Sequence, residues 1–326
     1  MHNSFGKAFR IEIYGGSHTE SLGVILTGVP AGIELCEADF EADLNRRRAG
    51  AKGTTPRREG DIPHIVSGVR DGITTGEKLE IVFYNENTRS ADYDKLRVHP
   101  RPSHADLTAR HKYGEEFDLR GGGIFSGRMT LLIVAAGVVA KKIMGSATFS
   151  SQIVELGGCR DAEQFATIVA AAQGDADSVG GVIECVVTGA GRDLGEPFFD
   201  SVESMAAHLL FAVPAVKGVE FGSGFEGVRL RGSERNDRII DNQGTTATNH
   251  EGGINGGIPN GNPIVVRVAI KPTPSIGLGQ QTYNFATQSV EELKIGGRHD
   301  ACIVLRASVV VEAAMAVVLA DLKLSL

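Results

Sequence analysis

The chain has 326 residues, 42% hydrophobic and 22% charged, an ordinary globular composition that argues against disorder and allows a large buried core. A net charge of −7 and a pI near 5.8 disfavour nucleic acid and anionic membrane as partners, because bulk electrostatics repel both. The opening residues carry no secretory leader pattern, the longest apolar run (Met129 to Ala140) is short of the ~20 residues a bilayer span takes, and Cys36, Cys159, Cys185 and Cys302 form no C-x-x-C pair; reduced thiols in a cytoplasm are expected.

In chain order, Phe9 to Tyr14 alternates apolar with polar residues and Leu22 to Thr27 is a short apolar run, both reading as strands. Glu37 to Arg48 reads as a helix with Glu37, Asp39, Glu41 and Asp43 early and Arg46, Arg47 and Arg48 at its end. Strands are predicted at Leu79 to Tyr84, Val182 to Val187, Val228 to Arg231 and Ile264 to Ile270, the last ended by Pro272. Further helices are predicted at Ser126 to Met144, the buried apolar run, at Ser201 to Phe211 and at Ser308 to Leu324. Strands come in groups rather than one for one with helices, which favours an α+β fold over a doubly wound sheet. Residues 1–326 read as a single domain with no linker. No fixed-period repeat is found, but the helices at 126–144 and 308–324 each follow an Arg- and Gly-rich segment, which leaves a pseudo-duplication open.

Gly222-Ser223-Gly224-Phe225-Glu226-Gly227 fits the spacing G-x-G-x-x-G, but a strand rather than a helix is expected after it, which sets aside a dinucleotide-binding fold. No phosphate loop of the G-x-x-x-x-G-K-[ST] type is present, and no recognised metal-ligand spacing links His18, His104, Asp106 and Asp300.

Two basic stretches stand out in an acidic protein. Arg46, Arg47, Arg48, Lys52, Arg57 and Arg58 place six cations in thirteen residues. Cations complementing a helix C-terminus explain one or two of them; the rest form either a solvated basic face or an anion site, for which guanidinium forks match carboxylate and phosphate geometry. Arg97, Arg101, Arg110, Lys112, Arg120 and Arg128 form the second stretch, interrupted by His99, His104 and His111 and by Gly121-Gly122-Gly123. It reads as a loop wrapping a polyanionic small molecule, with Ser126 near the start of a helix whose backbone donors favour anions. His18, in Gly15-Gly16-Ser17-His18, and His104, two residues before Asp106, sit in polar, turn-like sequence suited to proton transfer. Gly296-Gly297-Arg298-His299-Asp300 sets a cation, a proton carrier and a carboxylate before the last helix.

The ordered set of motifs resembles the chorismate synthase family from the first strand to the last helix. The matching stretches are Gly15-Gly16-Ser17-His18, Gly28-Val29-Pro30-Ala31-Gly32, Arg46-Arg47-Arg48, Thr55-Pro56-Arg57-Arg58-Glu59-Gly60-Asp61, Arg101-Pro102-Ser103-His104-Ala105-Asp106, Pro214-Ala215-Val216-Lys217-Gly218, Gly252-Gly253-Ile254-Asn255-Gly256-Gly257, Lys271-Pro272-Thr273 and Gly297-Arg298-His299-Asp300. The resemblance implies a β-α-β sandwich with helices between antiparallel sheets, a homotetramer, and a reduced FMN in a redox-neutral reaction, with NADPH as a candidate reductant. It also implies the substrate, 5-enolpyruvylshikimate 3-phosphate, which loses its phosphate and a C6 hydrogen in a 1,4-elimination.

Carried over by motif, His18 is the acid near the departing phosphate, His104 favours protonation of the reduced flavin, and Asp300 assists proton removal. FMN contacts map to Ser126, Pro214, Ala215, Gly256, Lys271, Pro272, Thr273, Pro274, Ser275 and Arg298. Arg47 falls in the phosphate-binding cluster that also meets NADPH in the family, and Lys52 stands near a family arginine across a one-residue gap. Arg48, Arg101 and Arg128 are the candidates for the substrate's anions. The chain departs from the family at Gly16, usually Glu, and at Thr19 and Ser103, usually Gly. The family stretch Gly-Arg-Ser-Ser-Ala-Arg-Glu-Thr here reads Gly123-Ile124-Phe125-Ser126-Gly127-Arg128-Met129-Thr130. A diverged flavin reductase and a nonenzymatic polyanion binder are the alternatives; the first finds no obvious dedicated nicotinamide domain here, and the second has no need of His18, His104 and Asp300 together.

Overall fold

A computed structural model describes residues 3–50, 53–54, 59–86, 94–114, 117–296 and 300–326. Strong alternation builds the sheets. In Ile264–Ile270 the side chains of Ile264, Val266, Val268 and Ile270 are buried while Val265, Arg267 and Ala269 point the other way, the period-two signature of a half-buried strand. That strand pairs antiparallel with Gly181–Thr188 on one side, Ile264 opposite Val187, and with Val216–Phe221 on the other; Thr148–Leu156 completes a four-stranded sheet. A second, five-stranded antiparallel sheet runs in the order Ser4–Phe5, Arg10–Gly15, Ser21–Thr27, Leu79–Tyr84 and His64–Ser67.

Helices fill the space between the sheets. Thr130–Met144 packs on Ser21–Thr27 of the five-stranded sheet, and Val304–Leu324 packs on Thr148–Leu156 and Gly181–Thr188 of the other. Every residue from Val309 to Leu322 is buried, so this helix is covered all round, as a helix in a middle layer must be. The two helices cross at Gly137, where a Cβ would stand 2.4 Å from that of Ala313; only hydrogen fits there. Val202–Ala212 lies beside Val304–Leu324 and Val216–Phe221, and Glu41–Arg47 packs against both central helices. The expected α+β sandwich, with helices between antiparallel sheets, is the observed fold. Among the described residues, no helix is long and apolar enough to cross a membrane.

Two buried carboxylates stitch the middle layer to its surroundings. Asp321 Oδ1 accepts hydrogen bonds from the backbone N–H groups of Lys7, Ala8 and Phe9 at 2.8, 2.8 and 2.9 Å, fixing the N-terminal segment. Glu312 takes a two-pronged bond from Arg46 at 2.7 Å on each oxygen and another from Ser151 Oγ at 2.6 Å.

Several expected elements differ. Val228 to Arg231 is a turn between two single-turn helices, Gly224–Gly227 and Gly232–Arg235, not a strand. Among the described residues, no neighbouring strand pairs with it. Gly222 to Gly227 therefore follows a strand and opens a helical turn, contrary to the context inferred from sequence, but that strand is antiparallel to its neighbour and no parallel crossover unit exists around it. The second basic stretch is not all loop, since Asp106–Tyr113 is a helix.

Candidate active site

Arg101 to Asp106 forms a tight turn in which Ser103 adopts a φ of +59°, the left-handed region where glycine is at ease. Asp106, first residue of the helix Asp106–Tyr113, is buried and accepts from Arg101 Nε and Nη2, both at 2.7 Å, and from the Arg101 backbone N at 3.1 Å. His104 Nδ1 lies 2.7 Å from Asp106 Oδ1. Burial alone would raise the pKa of Asp106; the hydrogen bonds from Arg101 and His104 outweigh it and hold the carboxyl well below the usual carboxylate range. Arg101 Nη2 also lies 3.1 Å from His104 Nδ1. An Nδ1–H donating to Asp106 cannot accept from a guanidinium, so we read these as two donors sharing one carboxylate. His104 Nε2 is then the free ring nitrogen, and it faces Gly122, where a Cβ would stand 3.8 Å away.

Gly121, Gly122 and Gly123 have φ of +61°, +86° and +53° and thread between the two candidate histidines. A Cβ on Gly121 would stand 2.1 Å from both Nδ1 and Cε1 of His18 and 2.7 Å from Ser17 Oγ. Ser17 N donates to Gly123 O at 3.3 Å. The absence of side chains on this loop is what lets His18 and His104 flank one short piece of backbone. Ser17 Oγ is buried there without a hydrogen-bond partner among the described residues.

Arg47 and Arg128 share Asp61. Arg47 Nη1 lies 3.0 Å from Oδ2 and Arg128 Nη1 2.7 Å from Oδ1, all three side chains buried. Arg47 also donates to Thr130 Oγ1 and to the Arg128 carbonyl, both at 3.2 Å, and Arg128 Nε donates to Asn85 Oδ1 at 2.6 Å. Burial pulls the Arg47 guanidinium down to about 10, opposed by Asp61, so it stays charged at neutral pH. Arg48 reaches the Gly60 carbonyl at 2.6 Å and that of Asp61 at 3.2 Å. Arg306 Nε holds the Arg47 carbonyl at 2.8 Å, and its Nη1 lies 3.1 Å from Asp300 Oδ2. Arg47, Arg48, Arg128 and Arg306 thus face Asp61 and Asp300, a positive balance that favours anions.

The expected flavin segment joins the same place. Arg101 Nη1 donates to Ser275 Oγ at 3.0 Å, and Lys271 Nζ to the Ser103 carbonyl at 2.7 Å. Burial and the neighbouring Lys217 lower the pKa of Lys271. Lys271 N donates to the Ala215 carbonyl at 3.0 Å, which places Pro214-Ala215 beside Lys271-Pro272 at one end of the four-stranded sheet. Ser178 Oγ donates to Thr273 O at 2.7 Å, and the next residue, Val179, donates its N–H to Ala301 O at 2.9 Å, beside Asp300. Ser126 Oγ accepts from Arg128 N at 3.2 Å, and a Cβ on Gly122 would stand 3.5 Å from that of Ser126. Asn85 Nδ2 closes the circuit by donating to Thr19 O at 2.6 Å in the loop that carries His18.

Starting at His18, the path runs through Gly121 and Gly122 to His104, Arg101 and Ser275, along the chain to Thr273, then through Ser178, Val179, Ala301 with Asp300, Arg306, Arg47, Asp61, Arg128 and Asn85, and returns to Thr19. Gly256 stands apart. It lies in the turn where the Gly257 carbonyl accepts from Val202 N at 3.0 Å, at the start of Val202–Ala212, whereas Pro214 and Ala215 follow that helix's end. An eleven-residue helix spans roughly 16 Å. Lys52, Arg57, Arg58, Arg298 and His299 lie outside the described residues. Arg46 faces Glu312 and Arg110 sits 4.5 Å over the Phe285 ring, so part of each basic stretch is structural.

Asp61, Asn85 and Arg306 in the circuit, and Ser17 beside His18, are polar side chains not singled out as site residues from the sequence alone. Asp61 closes the stretch Arg57-Arg58-Glu59-Gly60-Asp61, an acid near two cations in a motif that matches the family, a signal the sequence did offer. Asn85 and Arg306 carried none.

A family profile described as chorismate synthase matches residues 9–324, nearly the whole chain. The chain belongs to the chorismate synthase family. A chorismate synthase of Chitinophaga pinensis is 56% identical over 323 residues, covering 99% of this chain and 96% of that one. One from Dehalococcoides mccartyi is 44% identical, covering 99% and 97%. A crystal structure of chorismate synthase superposes with a TM-score of 0.76 at 28% identity, covering 98% of this chain and 93% of that one. Membership makes this chain an enzyme, a carbon–oxygen lyase of aromatic biosynthesis that works with a flavin.

Proposed function

We infer that the chain converts 5-enolpyruvylshikimate 3-phosphate to chorismate by redox-neutral 1,4-elimination of phosphate, the final step of the shikimate pathway, at the circuit of residues around His18, His104 and Asp300. The observation that supports this reading is the chain of contacts between separate segments that links those three residues with Arg47, Arg101, Arg128 and Arg306.

The flavin is FMN in its reduced form, which when bound supplies transient electron density that helps the phosphate leave. The residues present fit such a group and an anionic substrate. Thr273 Oγ1 and Arg128 Nη2 are buried without hydrogen-bond partners among the described residues, donors ready for an incoming acceptor. Ser126, Pro214, Ala215 and Lys271 to Ser275 would hold FMN, with Arg298 added by motif. Gly256, at the other end of Val202–Ala212, joins that set only if it serves a neighbouring copy, in keeping with a homotetramer.

Arg47, Arg48, Arg101 and Arg128, with Lys52, neutralise the phosphate and carboxylates by charge-assisted bonds. His18 gives a proton to the departing phosphate. His104, its Nδ1–H pinned by Asp106, presents Nε2 to the flavin side. Asp300, oriented by Arg306, assists loss of the C6 proton. NADPH, meeting the Arg47 cluster, is the reductant of the bound flavin. Residues 1–326 act as one domain, pseudo-duplicated about its two central helices, in the cytoplasm.

Anaerobic protein mixed with chemically reduced FMN and 5-enolpyruvylshikimate 3-phosphate should release chorismate and phosphate together. No turnover despite FMN binding would reject the reading, and oxidation of NADPH with oxidised FMN by protein that releases no chorismate would favour a flavin reductase.

A further inference from the structure

Three glycines without side chains separate His18 from His104, so their path must be fixed by the residues on either side. On one side Arg120 folds back on Asp118 through its N, Nε and Nη2 at 3.0, 2.9 and 2.7 Å. On the other, Ile124 packs against the core, and the ring of Phe125 meets those of Phe117 at 6.3 Å and Tyr113 at 6.4 Å. Phe117 and Tyr113 stack at 4.7 Å. Tyr113 ends the helix that Asp106 begins. The aromatic trio therefore fastens the glycine loop to the element that orients His104. Phe125 also directly precedes Ser126, whose Oγ caps Arg128 N at 3.2 Å. Ile124 and Phe125 are the residues at which this loop departs from the family's Arg-Ser.

We propose that Phe125 is a positioning residue for the elimination: held by Tyr113 and Phe117, its ring sets the Gly121 to Gly123 loop and hence the spacing of His18 and His104. The proposal rests on the reading of the site given above. Ring pairs at these separations are edge and offset contacts with defined geometry, suited to holding a loop rather than merely covering it.

The test compares Phe125→Ala, Phe125→Tyr and wild-type protein in the anaerobic assay with reduced FMN. Phe125→Ala should lower kcat about tenfold or more, since misplacement near 1 Å costs up to ~10²-fold. Its KM should move less than about threefold, the pattern of a lost transition-state interaction. Phe125→Tyr, which keeps the ring, should restore kcat to within about twofold. Phe117→Leu leaves Phe125 in place and should give a smaller drop in kcat; it serves if the alanine variant does not fold. A folded Phe125→Ala or Phe117→Leu protein with a lower thermal midpoint but wild-type kcat would overturn the proposal, leaving the trio a stability feature only. Absence of turnover in the wild-type protein would overturn the elimination reading and this proposal with it.

Discussion

Asp106 Oδ1 lies 2.7 Å from His104 Nδ1, and the same carboxylate binds Arg101 through both oxygens. This fixes which ring nitrogen of His104 carries the proton and which is free to work. Asp106→Asn should lower kcat by roughly 10²-fold, because the amide no longer selects that tautomer. The folded-state pKa of Asp106 is depressed, so its contribution to stability is present above the unfolded carboxylate pKa of ~3.9 and is lost as pH falls below it toward the folded value. Urea midpoints measured from pH 6 to pH 3 should therefore fall more steeply for wild type than for Asp106→Asn.

Asp61 compensates two buried guanidiniums at once. Asp61→Ala leaves Arg47 and Arg128 facing each other in a poorly hydrated site, and should lower the unfolding free energy by about 3–5 kcal/mol. Denaturant titration of the two proteins checks this. Equal midpoints would mean that water reaches the pair.

Gly121→Ala drives a methyl to 2.1 Å from the His18 ring at a φ of +61°. Gly145→Ala also places alanine at positive φ, +66°, but at a ψ of −103° and with open space around it, so it carries a backbone cost without a clash at the site. Gly121→Ala should abolish most activity while Gly145→Ala lowers only the thermal midpoint. Similar kcat for both would show that His18 does not need its present place.

Glu312 ties Arg46, Lys141 and Ser151 together inside the helical layer. Burial raises its pKa, and the bonds from Arg46 and Ser151 more than reverse that, leaving it lowered. Its stabilisation is thus present above the ordinary glutamate range and is lost as pH falls through that range. Glu312→Gln should unfold at lower temperature at pH 7, with the deficit shrinking toward pH 4, and kcat should stay within about twofold at 25 °C. The check is calorimetry beside the turnover assay.

The layers of the fold were legible because they rest on local pattern. Leu79–Tyr84 and Ile264–Ile270 have the bounds their runs of strong β formers predict, and the apolar runs became the two central helices. Thr148–Leu156 was missed because Ser150, Ser151 and Gln152 interrupt its apolar pattern at a sheet edge, where one flank needs no partner. Asp106–Tyr113 was read as loop because its charged and histidine residues hide any apolar stripe. In the site, the residue types were legible but their directions were not. Arg46, Arg47 and Arg48 are consecutive at a helix end, so their side chains diverge: one reaches Glu312, the next Asp61, the third the Gly60 carbonyl. Asn85 reaches Arg128, and Arg306 the Arg47 carbonyl, partners far along the chain that no local pattern announces.

Joint action of His18, His104 and Asp300 at one site is checked by phosphate and chorismate release, under reduced FMN and without oxygen, in wild-type, His18→Ala, His104→Ala and Asp300→Ala proteins. Wild type should release the two products one for one. Each variant should bind FMN and turn over slower by roughly 10²-fold or more, as loss of a proton-transfer group entails. Full wild-type turnover with all three variants near the wild-type rate would contradict the account.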